Sequence, residues 1–145
     1  MSLENFKTIC HVVASLPERK STYPAVQCKE KKHWQDYSWL EYYDKIETVA
    51  CALLGLGVRP GDRVAIMSNT RFEWSQCDFA IMGIGAITVP NYQTLTADEL
   101  EYILNNSQAR FLFIENKITL KTYLQVKDRC PSIKKVICFE FSHYT

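Results

Sequence analysis

The sequence predicts an α/β fold, an open and mainly parallel sheet with flanking helices and an N-terminal β-hairpin. Three observations point there. The runs Val64-Ala65-Ile66-Met67 and Phe111-Leu112-Phe113-Ile114 are continuously apolar and strand-length, as expected for strands covered on both faces. Three segments with apolar residues three and four apart each begin with a Ser/Thr-x-x-Glu pair, the spacing in which two side chains satisfy the free amides of a helix start. Strand-like and helix-like segments alternate along the chain, and right-handed crossovers turn that rhythm into a parallel sheet.

Taken in order, Phe6, Ile9, Cys10, Val13 and Leu16 recur at helical spacing among Glu4, Lys7 and His11, which predicts an amphipathic helix. A polar breaker segment, 17–24, leads to Ala25–Cys28 and Trp34–Tyr37, two β-compatible pieces that read as a hairpin around the charged run Lys29–His33. Ser38 with Glu41 opens a helix whose stripe is Trp39, Tyr43, Ile46, Ala50, Leu53 and Leu54, closed by Gly55 and Gly57. Arg59-Pro60-Gly61-Asp62 has the pattern of a type II turn and feeds the strand Val64–Met67. Thr70 with Glu73 predicts a second capping box, before a helix carrying Phe72, Cys77, Ala80, Ile81 and Ile84. The strand Ile87–Val89 then stops at Pro90. Thr96 with Glu99 opens a third helix, bearing Leu100, Ile103 and Leu104. A strand at Phe111–Ile114, a helix over 118–128 and a strand at Val136–Phe139 complete the expected order. With 145 residues, the chain has the size of a single α/β domain, spanning 1–145.

Composition removes several functions. Seventeen Lys and Arg stand against 16 Asp and Glu, so no strong field draws nucleic acid; the local basic run reads as a solvated turn. Six cysteines show neither Cys-x-x-Cys nor His at zinc spacing, so no metal site is expected. Cys51 and Cys77 fall in apolar helical patterns and read as small hydrophobes. No secretory leader or spanning helix is expected, which favours reduced thiols and a cytoplasmic location.

Ligands of an open α/β sheet bind beyond the carboxyl ends of its strands. Those ends are Ser68-Asn69-Thr70, Asn91-Tyr92-Gln93-Thr94 and Glu115-Asn116. Asn69, Asn91, Tyr92 and Thr94 are therefore the substrate-proximal candidates, although Asn69 or Thr70 as an N-cap and Pro90-Asn91 as a chain reversal are the plainer readings. Gly83-Ile84-Gly85 is not a dinucleotide fingerprint, because it closes a helix and opens a strand; close packing at a tight exit explains it better. His11, His33 and His143 lie in distant segments without a nucleophile at a useful spacing. Asp98, Glu99 and Glu101 are read as first-turn acids that favour a helix dipole. No catalytic, cofactor-binding or metal-ligating residue is assigned.

Tyr37-Ser38-Trp39-Leu40-Glu41-Tyr42, the segment Leu54–Ile66 with its Gly-Val-x-Pro-Gly-Asp-x-Val pattern, Ser68–Trp74 and Ile81–Thr94 together resemble the opening of adenylate-forming (AMP-binding) enzymes. The Glu73-Trp74 pair and the Pro-x-Tyr-x-Thr of Pro90–Thr94 look most like long-chain fatty acyl-CoA synthetases. That resemblance implies part of the large N-terminal domain of the adenylate-forming fold. It also implies a full-length ligase that activates a fatty acid with ATP and Mg²⁺ to an acyl-adenylate and transfers it to coenzyme A. The family's phosphate loop with its Lys, its Tyr-Gly-x-Thr-Glu segment, its ribose-binding Asp and its carboxy-terminal Lys have no counterpart here. The expectation is thus a truncated, inactive fragment that binds none of these cofactors tightly, with Phe141–Thr145 as a cut end and membrane association of the full-length protein left open. Two other readings stand beside it: a free-standing noncatalytic α/β binding module, and a fragment of another adenylating ligase such as an amino-acid-activating domain.

Overall fold

A computed structural model describes residues 7–30 and 32–140. Phe6 and Glu4 of the expected first helix, Lys31 of the basic run, His143 and the segment 141–145 lie outside the described residues.

The first helix, α1 (Ile9–Ala14), is capped by the Thr8 hydroxyl and passes into a short 3-10 turn, Leu16–Glu18, which buries Leu16. Strands β1 (Val26–Glu30) and β2 (His33–Tyr37) form the antiparallel hairpin, with Lys29 and His33 of the basic run in the strands and Lys32 in the turn. Helix α2 (Trp39–Gly55) begins with the Ser38/Glu41 capping box. Its buried residues are Tyr42, Ile46 and Leu53. Leu54, expected in that stripe, is 46% exposed, because the helix turns toward α3 on the side that Tyr42 occupies. Tyr42 stacks on Phe72 at 5.7 Å and donates its hydroxyl to Ser75 Oγ at 2.9 Å.

Strands β3 (Arg63–Met67), β4 (Ile87–Asn91), β5 (Phe111–Ile114) and β6 (Lys135–Cys138) form one parallel sheet in the order β4-β3-β5-β6. Strand β4 does not stop at Pro90: Pro90 pairs with Ile66 and the strand runs to Asn91. Proline is tolerated because β4 is an edge strand, where a missing N–H can face away from the ladder. Helices α3 (Phe72–Gly83), α4 (Ala97–Ser107) and α5 (Lys117–Leu124) make the crossovers. The single helix expected over 118–128 is broken: α5 ends at Leu124, and a separate 3-10 turn covers Lys127–Arg129.

Side chains of a strand alternate between faces, so the two buried central strands must supply two cores. Val64, Ile66, Phe111 and Phe113 meet α1, α2 and α3 on one face, while Ala65, Met67, Leu112 and Ile114 meet Leu100, Leu104 and Tyr123 of α4 and α5 on the other. Each fully buried Leu, Ile or Phe contributes roughly 1.5–3 kcal/mol. Cys77 belongs to the first core at 2% exposure, where burial pushes its thiol up to about 12, whereas Cys51, expected to be its equal, points outward.

The amino end of the sheet is fastened by polar contacts. Gly61 takes φ +84° in the expected turn, closed by the Asp62 amide donating to Arg59 O at 3.0 Å. Gly85, at φ +77°, brings the exit of α3 against that turn: a Cβ there would lie 3.2 Å from Pro60 Cβ, and the Gly61 amide donates to Gly85 O at 2.8 Å. No such closeness exists at Gly83, which faces open space. Arg63 donates to the carbonyls of Ser107 and Gln108 at 2.8 and 3.2 Å, placing a cation at the C-terminus of α4. Asp62, 8% exposed, accepts from Arg110 Nη1 at 2.6 and 2.7 Å and from the Arg59 amide at 2.9 Å. Burial alone would raise its carboxyl, but the hydrogen bonds from Arg110 and Arg59 outweigh it and hold Asp62 below the usual carboxylate range.

A folded-state value below the unfolded one gives stability that is present above the unfolded carboxylate value, about 3.9, and is lost as pH falls through the folded value. Replacing Asp62 by Ala is expected to cost roughly 1–3 kcal/mol in urea unfolding at pH 7. The loss should shrink as pH falls below about 4; a cost independent of pH would show that the charge is not what matters. In thiol labelling of the native chain, Cys51 should react readily and Cys77 only after unfolding.

Candidate functional site

In chain order the sheet reads second, first, third, fourth, so the crossovers leave in opposite directions between β3 and β5. That is the topological switch point, where a doubly wound sheet ordinarily opens a ligand crevice beyond its strand ends. Here the crevice is filled by one carboxylate. Glu115, immediately after β5 and 9% exposed, accepts from the Asn69 amide at 2.7 Å, from Asn69 Nδ2 at 3.0 Å and from Ser68 Oγ at 3.3 Å, all through the same oxygen. Its other oxygen lies 3.7 Å from Arg71 Nη1.

Arg71 gathers three acids. It donates to Glu73 at 2.7 and 3.2 Å and to Glu140, beyond β6, at 2.6 Å, and its guanidinium lies 5.8 Å from the Phe139 ring centroid. The hydrogen bond to Glu73 and then that to Glu140 raise the guanidinium's affinity for its proton against the opposing effect of burial. At Glu73 burial pulls upward, yet the Arg71 hydrogen bond and charge prevail and keep this carboxyl below its ordinary range. This pairing explains why the expected Thr70/Glu73 capping box is absent. The helix starts at Phe72 with Arg71 as its cap residue and no side-chain cap, since the Glu73 carboxylate is already held by Arg71. A capping box outside the Ser/Thr-x-x-Glu pattern does form at α5, between Asn116 and Thr119.

The open concavity lies one strand further out, at the ends of β3 and β4. It has a volume of about 420 Å³ and is walled by Asn69, Trp74, Pro90, Asn91 and Tyr92 among others. Of the four substrate-proximal candidates, Asn69, Asn91 and Tyr92 come together there, while Thr94 is not among the lining residues. Asn91 is 6% exposed and gives its Nδ2 to Val89 O at 2.8 Å, but its buried Oδ1 has no partner. Tyr92, at 78% exposure, overhangs solvent. Asn69 is split between roles: its amides secure the Glu115 clip and its side chain edges the cleft.

The remaining titratable groups do not join this site. His11 and His33 are exposed and on other elements. Asp98 and Glu99 stand in the first turn of α4, but Glu101 lies beyond it and, with Asp98, pairs with Arg129 at 3.0 and 3.1 Å. Among the described residues no group of three or more His, Cys, Asp or Glu side chains could hold a metal ion, and no helix is long and apolar enough to cross a membrane. Arg71 was not visible as a site residue from sequence, because Glu140 is 69 positions away. Its only local trace is an Arg two residues before an acid at a helix start.

Comparison with known proteins adds to this geometry. The sequence model of the family described as "AMP-binding enzyme" matches residues 14–143. The chain is 38% identical over 104 residues to the long-chain-fatty-acid–CoA ligase FadD15 of Mycobacterium tuberculosis, which covers 72% of this chain and 17% of that protein. It is 26% identical over 133 residues to the long-chain-fatty-acid–CoA ligase ACSBG2 of Xenopus laevis, covering 92% of this chain and 18% of that one. The chain thus spans less than a fifth of the length of these curated relatives. In fold it superposes on the anthranilate CoA ligase AuaEII, solved with anthranoyl-AMP, with a TM-score of 0.78 at 23% identity over 95% of this chain and 26% of that one.

Removing the clip carboxylate with Glu115→Ala should speed hydrogen exchange of the Asn69 amide and destabilise the chain by roughly 1–3 kcal/mol. Glu115→Gln, which keeps an acceptor, should fall between. Unchanged Asn69 exchange in the alanine variant would mean that the loop is held by something else.

Proposed function

Because the chain belongs to the AMP-binding enzyme family, we propose that it is the amino-terminal portion of a long-chain fatty acid–CoA ligase acting in the cytoplasm. The observation that carries this reading is the 38% identity to the mycobacterial ligase across 72% of the chain. The fold supports it, since the parallel sheet and its helices superpose on a CoA ligase over nearly their whole extent.

The reaction assigned to the whole protein has two displacements. A fatty acid carboxylate oxygen attacks the α-phosphate of ATP, and the bond to pyrophosphate breaks, giving the acyl-adenylate. The thiol of coenzyme A then attacks the acyl carbonyl, losing its proton, and AMP leaves with its electron pair. Both steps gather negative charge that fixed donors must neutralise. This chain's contribution is to build the sheet and to hold the strand-end loops in place. Glu115 and Arg71 close the switch-point crevice and fix Asn69. Asn69, Asn91 and Tyr92 line the neighbouring cleft, and Thr94, just after it in the chain, remains a substrate-proximal candidate. No residue of the chain is assigned a catalytic role. No Mg²⁺ ligand is assigned on this chain.

The full-length gene product, given palmitate, ATP and coenzyme A, should form palmitoyl-CoA and catalyse palmitate-dependent exchange of pyrophosphate into ATP. The isolated 145-residue chain should do neither. Exchange by the isolated chain would refute the assignment of the chemistry to other parts of the protein, and a full-length product inert toward fatty acids would refute the ligase.

A further inference from the structure

The hairpin pairs Val26 with Tyr37 and Lys29 with Trp34. Since strand side chains alternate, Val26, Cys28 and Tyr37 share one face, and Gln27, Lys29, Trp34 and Asp36 share the other. The first face is packed at its Val26–Tyr37 end, where Tyr37 stacks on Phe72 at 4.4 Å and Val26 lies against the core. The second is open. Trp34 is 66% exposed directly across from exposed Lys29, with exposed Lys32 at the turn. Tyr23, 79% exposed, borders the same shallow depression as Asp36 of that face.

We propose that this outer face of the hairpin docks on the headgroup layer of an anionic lipid bilayer, with Trp34 entering the interface and Lys29 and Lys32 at the level of the phosphates. A single exposed aromatic residue would need no explanation; its setting among lysines is what selects the partner. Lysine is depleted from the centres of protein–protein interfaces, where its ammonium group would lose water. In a headgroup layer the ammonium groups stay hydrated beside lipid phosphates while their stems and the indole lie along apolar material, the arrangement in which Trp and Lys mark membrane surfaces. The charge is also local. Residues 29–33 hold three lysines against one glutamate, although the chain as a whole carries only +1. Attraction to an anionic surface therefore belongs to this hairpin and not to the molecule at large.

Flotation of the full chain with vesicles of three parts phosphatidylcholine to one part phosphatidylglycerol tests this. The chain should float with these vesicles at low salt and remain behind with phosphatidylcholine alone. Trp34→Ser should lose most of the binding, and Lys29→Gln with Lys32→Gln should weaken it roughly 30-fold. All variants should keep their far-ultraviolet circular dichroism, since these side chains are outside the core. Absence of binding by the wild type would overturn the proposal, as would equal binding by every variant, which would place the attachment elsewhere. So would a change of oligomeric state in Trp34→Ser, which would show that protein covers this face. Palmitoyl-CoA formation by the full-length product in detergent is independent of all three outcomes, so failure here leaves the ligase reading standing.

Discussion

The described elements are arranged around two strands whose side chains are almost wholly withdrawn from water. β3 and β5 lie side by side at the centre of the sheet, and Val64, Ala65, Ile66, Met67, Leu112 and Ile114 have no exposed surface at all. A strand buried on both faces cannot exist alone, because its alternating side chains demand an apolar layer above and another below. The three-helix layer of α1, α2 and α3 and the two-helix layer of α4 and α5 answer that demand.

The two ends of the sheet meet a different requirement. Backbone groups and charges there are partly withdrawn from water and must find partners inside the protein. At the amino end, Arg110 and the Arg59 amide satisfy Asp62, and Arg63 satisfies the last carbonyls of α4. At the carboxyl end, Glu115 satisfies the loop after β3, and Arg71 draws in Glu73 and Glu140. The consequence for function is specific. The crevice at the switch point is occupied by the protein's own carboxylate, and a cleft of about 420 Å³ opens beside it, between the ends of β3 and β4. In the ligase reading proposed above, this arrangement supplies a wall and a fixed loop to the site.

How much of this was legible depends on how local each interaction is. The Ser38/Glu41 and Thr96/Glu99 boxes were readable because both partners lie within one helical turn, and both form. Thr70/Glu73 has the same spacing and fails, because Arg71 competes for the same carboxylate and wins with two hydrogen bonds. Pro90 has the local chemistry of a strand terminator, but the edge position of β4 makes it harmless. Leu54 and Tyr42 show the same limit in packing. Helical periodicity finds an apolar stripe, yet the direction of the neighbouring helix decides which flank of it is covered. In the candidate site, Asn69, Asn91 and Tyr92 could be named from their places after strands, whereas Arg71 could not, since its partners are distant in sequence.

Sequence by itself determined the parallel α/β architecture, the type II turn at Arg59–Asp62 and the kinship with adenylate-forming enzymes. These rest on runs, turns and caps whose physics is settled within a few residues. Only the tertiary structure decided the strand order, and with it that Glu115 meets Asn69, that the switch-point crevice is closed and that Trp34 is left outside. Those outcomes depend on pairings between residues far apart in the chain, and short-range patterns carry no record of which distant strand becomes a neighbour.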